Sequence, residues 1–487
     1  MQYEVLSPSS RGTTGMPELF PFQRKDVARS LVRNVLIASE CGIGKTMEMI
    51  SVVKQRREVT GEVGPVLVLC NNRAKAQWKA FIEEWDPGIP IVVTGRGGKW
   101  PDDEIAIEHW FHPRHPGYVI GHHEAMSLPR SKKAREQRKY NAPKVWSRYA
   151  WEHVIVDECH RYKGRKSMRA VALRGIIGLH KMCASGTIMD DSPAQMWVTL
   201  NYLYPSLFPA YWAFVEDWIE IEENYLGYRN LKGIKPGKEE EFANLLAPFT
   251  IHRRKRDPDV KPDLPPVRRE TLPLQMEKGT AQYRAYEEIG KAKDIEVKFP
   301  EDLAAGEWHL LIKNTLARIV RLQQVLADPR LLGLRGTSVK LEWIKDYVFD
   351  NPNESIVVFT KFRNVALVLA EDLDGAISIG GKTERYEEWQ AGKVKVLCGT
   401  IKAIGESLNL QKASTAIFVT REWSSIAMTQ AFDRIDRIDI TEPKHLIFLQ
   451  VLNSIDGLVD KALKEKWTEQ QLVWEYLRKA QAQPTKS

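Results

Sequence analysis

Cysteine is scarce and unpaired in this sequence. There are five in 487 residues, at Cys41, Cys70, Cys159, Cys183 and Cys398, and no two form a C-x-x-C pair. Neither a zinc finger nor a disulfide framework is indicated. The thiols read instead as small buried residues of a reducing compartment. Long apolar runs are missing too. No uncharged stretch approaches the ~20 residues that cross a bilayer, so no membrane partner is expected. The opening residues, MQYEVLSPSSRGTTG, lack the apolar core of a secretory signal. The expectation is a cytoplasmic protein. No internal repeat with a clear period is present.

What is there is ample. Hydrophobic residues make up 43% and charged residues 28%, a globular balance, and the length suffices for two or three full cores. The formal net charge of +8 favours a polyanionic partner. Basic residues cluster in RSKKAREQRKY (130–140) and HRRKR (252–256). For either cluster, a solvated face and a nucleic-acid contact are both open.

Short apolar runs recur in two sets. The first holds VLIA (35–38), VLVL (66–69), YVI (118–120), HVIV (153–156) and KMCA (181–184). The second holds SIVVF (355–359), AISI (376–379), VKVL (394–397), TAIFV (415–419) and LIFL (446–449). Continuous runs of this kind suit strands buried on both faces. Amphipathic helix-length segments lie between them. After Lys45, for instance, Met47, Ile50 and Val53 share a helical face. Strand and helix in repeated alternation predict an α/β fold of two doubly wound parallel-sheet lobes. Residues 195–250 and 275–345 read mainly as helix, and RDPDVKPDLPP (256–266) opposes regular structure through its prolines. The expected layout is a first lobe over 1–255 with a helical insertion at about 195–250, then a junction over 256–275. A helical insertion of the second lobe (276–345), the second lobe (346–479) and a disordered tail (480–487) follow.

Three constellations carry chemistry. ASECGIGKT (38–46) follows an apolar strand and opens a helix. Gly42 and Gly44 let the backbone turn tightly, so that the amides of this loop, Ile43 included, face inward as phosphates require. The helix N-terminus adds positive potential, Lys45 can reach the β- and γ-phosphates, and the Thr46 hydroxyl can bind magnesium. Next, VIVDECHRYKG (154–164) runs from a strand straight into Asp157 and Glu158. At the C-terminal end of a parallel strand, Asp157 can hold magnesium and Glu158 can orient or deprotonate water. Last, QAFDRIDRID (430–439) places Gln430, Arg434 and Arg437 at i, i+4 and i+7, on one predicted helix face. Those arginines can stabilise charge on a transferring phosphoryl group. An ion-pair network with Asp433 and Asp436 is the other reading of the same spacing.

In order along the chain, from about residue 19 to about 460, these segments resemble the superfamily-two helicase-like ATPases, and within them the Swi/Snf branch. LFPFQ (19–23) is similar to the adenine-recognising motif, with Gln23 its key residue. VLVLCNNRAKAQWKAFIEEW (66–85) resembles the motif in which Trp78 and nearby basic residues sit beside nucleic acid. ASGTIMD (184–190) resembles the motif that links ATP to DNA, through Ser185, Gly186 and Thr187. PFTIHRRKRD (248–257) resembles the lobe junction, and VVFTKF (357–362), GTIKAIGESLNLQKA (399–413) and QAFDRIDRI the second-lobe motifs, with Gly405 beside the nucleotide. Ser39, Ile188, Ile404, Ser407 and WSS (423–425) depart from the branch's residues.

The resemblance implies two RecA-like lobes, ATP and magnesium as cofactors, and duplex or branched DNA as partner, held mainly by its backbone. Arg73, Lys75, Trp78, Lys163, Arg254, Lys361, Thr400 and Lys402 are the candidate contacts. It implies an ATP-driven DNA translocase of compact bacterial or bacteriophage type, expected as a monomer. Protein partners from a replication, recombination or defence system would fit. Trp212 and Trp218 are expected to pack the insertion. A strand-separating or branch-migrating helicase shares the same motor. A non-hydrolysing DNA-binding scaffold, or the motor subunit of a restriction complex, would be readings of another class.

Overall fold

The structure is a computed structural model. It describes residues 18–482 except 62–63, 95–116, 125–146, 148, 190–191, 224–228, 262, 292–295, 299–308, 312–314, 380–381, 406–407 and 439. The basic cluster at 130–140 lies outside the described residues. The chain divides into two compact units, residues 1–263 with 468–487, and residues 264–467.

In the first unit the strands are β1 (Val35–Ile37), β2 (Pro65–Cys70), β3 (Ile91–Val93), β4 (Gly117–His122), β5 (Ala150–Asp157), β6 (Ile177–Ala184), β7 (Ile219–Glu223), β8 (Arg229–Ile234) and β9 (Thr250–Ile251). Seven form one sheet in the order β3-β4-β2-β5-β6-β1-β9, parallel at every pairing. β7 and β8 make a separate antiparallel hairpin. β2 explains its unbroken apolar sequence. Leu67 and Leu69 enter one core while Val66, Val68 and Cys70 enter the other, so neither face meets water. Helix Lys45–Thr60 begins at Gly44 and ends at Gly61, both left-handed, and buries Met49, Ile50, Val52 and Val53 against the sheet.

In the second unit the strands are β10 (Val267–Leu274), β11 (Glu296–Lys298), β12 (His309–Leu311), β13 (Ile356–Thr360), β14 (Ala376–Ile379), β15 (Lys382–Glu384), β16 (Val396–Thr400), β17 (Thr415–Phe418) and β18 (Lys444–Val451). The sheet order is β10-β18-β17-β13-β16-β14-β15, parallel except for the β14–β15 edge. β13 again feeds two cores, Val357 and Phe359 on one face and Ile356 and Val358 on the other. Both units are α/β with a doubly wound, predominantly parallel sheet. No described helix is long and apolar enough to cross a membrane.

Each of the ten apolar runs overlaps a strand. The differences fall elsewhere. Residues 195–250, expected as mainly helix, include helices Trp197–Leu203, Tyr211–Trp218 and Glu239–Leu246 and also the β7–β8 hairpin. Residues 275–345 hold helices Ala281–Lys291, Thr315–Ala327 and Val339–Asp350, plus the β11–β12 hairpin. The junction expected over 256–275 includes β10, an edge strand of the second sheet. The final helix, Ile455–Ala482, runs on into the predicted tail, and its Val473 and Leu477 are buried in a core of the first unit.

Candidate active site

The register of the first sheet gathers the site. Ile37 of β1 pairs with Ala184 of β6, and Ala184 pairs with Asp157 of β5. The three strands are parallel, so the segments that follow them leave the sheet along one line. They lie within about 10 Å, two strand spacings, of one another. Those segments are the glycine-rich loop, the Ser185-Gly186-Thr187 turn, and the acidic pair.

The loop is held tightly on its inner side. Gly42 and Gly44 have φ of +84° and +94°, the left-handed region that favours glycine. A Cβ on Gly44 would also stand 2.3 Å from Gln23 Nε2. Gln23 is buried. Its amide donates to the Ile43 carbonyl at 3.0 Å, and its oxygen accepts from the Phe20 N–H at 2.9 Å. Lys45 Nζ donates to the carbonyls of Ser39 and Glu40, at 2.8 and 2.9 Å. Three residues on, Glu48 is buried, and burial together with Asp26 pushes its carboxyl up to about 8, opposed by Lys45 and Arg253. Gly186 packs on the loop so closely that a Cβ would meet Cys41 Sγ at 2.8 Å. The Ser185 amide donates to the Ile37 carbonyl at 3.0 Å, so the turn and the loop's own strand are joined.

The acidic pair is built by opposing forces. Asp157 is pushed up to about 6, first by burial and then by the charge of Glu158, while Trp78 and Lys45 act to lower it. Its Oδ2 accepts from Trp78 Nε1 at 2.9 Å, and its Oδ1 accepts from the Glu158 N–H at 3.0 Å. Glu158 sits at φ +50°, a left-handed position that a glutamate adopts only when its surroundings impose it. Its Oε2 accepts from the Ser185 hydroxyl at 3.2 Å, and His160 Nδ1 lies 2.9 Å from that same hydroxyl. Thr187 N–H donates to Ser185 Oγ at 3.2 Å, which closes the turn. Lys45 is the cation that offsets this pair at Asp157. Asp157 and the Thr46 hydroxyl are the hard oxygen donors that magnesium takes.

Among the nucleic-acid candidates, two are corrected. Trp78 is 2% exposed and its indole is committed to Asp157, so it serves the acidic pair and cannot stack on a base. Lys75 is 6% exposed, with Nζ donating to the Thr94 carbonyl at 2.6 Å, and so offers no surface charge. Lys163 and Lys402 are exposed, and Arg254 is half-exposed beside Asp257. Lys361 Nζ donates to Gln323 at 3.1 Å, and Thr400 Oγ1 accepts from the Ala403 N–H. The side chain of Arg73 and the surroundings of Gly405 lie outside the described residues. Lys361 and Lys402 flank the row Thr360–Thr400 at the C-terminal edge of the second sheet. The shared helix face expected for Gln430, Arg434 and Arg437 is also corrected. Helix Ser425–Asp433 carries Gln430, Arg434 caps its end, and Arg437 lies beyond the turn that follows, outside any helix.

Comparison with known proteins fixes the family. The SNF2-related domain matches residues 24–331, and the Helicase conserved C-terminal domain matches 339–439. The chain belongs to the SNF2-related family. Among its relatives is the "ATP-dependent DNA helicase DDM1" of Arabidopsis thaliana, 22% identical over 89% of this chain and 58% of that protein. Another is the "Putative ATP-dependent helicase/translocase YwqA" of Bacillus subtilis, 24% identical over 95% of this chain and 49% of that protein. The chain thus spans about half the length of these curated SNF2-related relatives. A solved structure, "Sulfolobus solfataricus SWI2/SNF2 ATPase core in complex with dsDNA", covers 99% of this chain and is itself covered completely, at 18% identity and TM-score 0.42.

Two residues of this SNF2-related site carry more than sequence reasoning gave them. His160 closes the Glu158–Ser185 contact, and its place as fourth residue of D-E-C-H was the available signal. Trp78 orients Asp157 from a helix 79 residues earlier, and no local pattern in the sequence announces that pairing.

Proposed function

We propose that this chain is a magnesium-dependent ATPase that uses hydrolysis to move along and remodel double-stranded or branched DNA. The observation that carries the reading is the single row Ile37–Ala184–Asp157, which brings a phosphate loop, an acidic pair and a linking turn to one edge. Family membership and the names of the relatives support it.

In this reading the amides of Gly42, Ile43 and Gly44 and the ammonium of Lys45 receive the phosphates, with Gln23 steadying the loop beneath them. Thr46 and Asp157 would hold magnesium, which would supply charge neutralisation at the phosphates. Glu158, fixed by its own backbone and by Ser185, orients the attacking water and takes its proton. Arg434 and Arg437 are the candidates to stabilise charge on the transferring group, Gln430 is a neutral amide donor beside them in sequence, and Gly405 is the candidate beside the nucleotide. The Ser185–Thr187 turn, bonded at once to Glu158 and to the loop's strand, passes the state of the site onward. Lys163, Arg254, Lys361, Thr400 and Lys402 contact the DNA backbone, where cations and hydroxyls suffice because no base is read. The helical segments near 195–250 and 276–345 act as insertions around this motor.

The test is ATP hydrolysis by purified chain at one salt concentration, with no nucleic acid, single-stranded DNA, duplex DNA, four-way DNA or RNA. Duplex or branched DNA is expected to stimulate strongly, and Glu158→Gln to abolish the rate, a loss on the order of 100-fold or more for a general base. Equal rates with and without nucleic acid would reduce the reading to an ATPase of another target.

A further inference from the structure

The glycine-rich loop is stitched to a segment over 200 residues away. β9 lies beside β1, and the pairing continues past both strands: Ala38 N–H donates to the Ile251 carbonyl at 2.7 Å, and Glu40 N–H to the Arg253 carbonyl at 2.9 Å. Side chains then take over. Arg253 N–H donates to Ser39 Oγ at 3.1 Å, and Lys255 N–H to Glu40 Oε2 at 2.9 Å. The guanidinium of Arg253 grips Asp26 through two bonds of 2.9 and 2.7 Å and Asp259 through one of 2.7 Å. Asp26 stands on helix Pro21–Ser30, the helix whose Gln23 holds the Ile43 carbonyl. The connection is therefore a closed circuit: loop, helix, Arg253, and back to the loop.

Lys45 braces the same two residues from the other side, through the carbonyls of Ser39 and Glu40. A phosphate is a stronger partner for an ammonium than a carbonyl is. When Lys45 turns to a phosphate, residues 39 and 40 lose their bracing on one edge while their other edge still holds 253 and 255.

We propose that Ser39 and Glu40 are positioning residues that transmit phosphate occupancy at the loop to the segment Arg253–Lys255, which leads out of the first unit at residue 263. The inference rests on the reading of Lys45 as a phosphate ligand. It adds a route by which that event leaves the site. Ser39 uses its hydroxyl, which accepts from the Arg253 amide. Glu40 uses its carboxylate on the Lys255 amide and its own amide on the Arg253 carbonyl.

The experiment is amide hydrogen exchange over residues 250–260 of the full chain, with and without magnesium and a non-hydrolysable ATP analogue, alongside the analogue's dissociation constant. In the wild type, bound analogue changes exchange in this segment by about threefold or more. Glu40→Ala removes the Lys255 acceptor and abolishes that change while analogue affinity stays within about threefold. Glu40→Gln keeps an acceptor and keeps the change. Ser39→Ala, a smaller perturbation, weakens it. Analogue that binds the wild type without altering exchange at 250–260 would overturn the proposal, and so would a Glu40→Ala chain that responds like the wild type. Analogue binding that is absent, or untouched by Lys45→Ala, would instead withdraw the phosphate-loop reading and the proposal with it.

Discussion

His252 lies flat against Trp474, with ring centroids 4.6 Å apart and planes 7° from parallel. Burial, then the neighbouring charge of Arg478, pulls its pKa down to about 3, with Arg254 and Lys45 adding to the fall and Asp257 opposing it. An unfolded histidine titrates near 6.5. Between those values the unfolded chain binds the extra proton, so stability from this group is complete above about pH 6.5 and declines as pH falls toward 3. His252→Phe keeps a flat ring on Trp474 but has no proton to gain. Urea midpoints measured between about pH 7.5 and 5 should fall less steeply in the variant than in the wild type. Parallel slopes would show that this stack is not a source of acid sensitivity. Residues differ in how far their roles could be read in advance. Lys45, Asp157 and Glu158 announce themselves because phosphate and metal chemistry demands those side chains at those spacings. Trp78 and Lys75 do not, since a tryptophan and a lysine on one helix suit a DNA surface or a buried bond equally well. The sheet decides by burying them to 2% and 6% exposure.

Elements show the same divide. Continuous apolar runs such as VLVL are legible as strands because a two-faced core admits little else. β10, with sequence VRRETLPL, is not, because an edge strand needs no unbroken apolar run and tolerates Pro273. The β7–β8 hairpin hides in IEIEE, whose alternation is clear only beside its partner. Helix Ser425–Asp433 stops one residue short of Arg434, which splits a set that a 3.6-residue period would have kept together. The contact between the Ser185–Thr187 turn and the loop makes a prediction at this scale. In Gly186→Ala the new methyl would stand 2.8 Å from Cys41 Sγ and 3.2 Å from the Cys41 amide nitrogen. Overpacking of that kind costs about 1–3 kcal/mol of folding stability, read as a lower urea midpoint. Adding Cys41→Ala removes the sulfur and should restore part of the loss, read as a coupling energy in a double-mutant cycle. Strict additivity would mean the two elements do not communicate through this contact.

At the scale of the whole molecule, the two parallel sheets are legible from the spacing of ten runs, and the ordered motifs together with the +8 charge point to a polyanionic partner. Where the final helix belongs was not visible, since only burial of Val473 and Leu477 shows that its end completes the first unit. As proposed above, hydrolysis at the first unit drives movement on duplex DNA. Displacement of a third strand from a triplex tests it most directly, because the strand is released only when a motor travels through it and no base-pair opening is required. The wild-type chain with ATP and magnesium should release the third strand. Lys45→Ala, Arg434→Ala and the non-hydrolysable analogue should each leave it in place. Duplex-stimulated ATP hydrolysis with the third strand still bound would contradict the account.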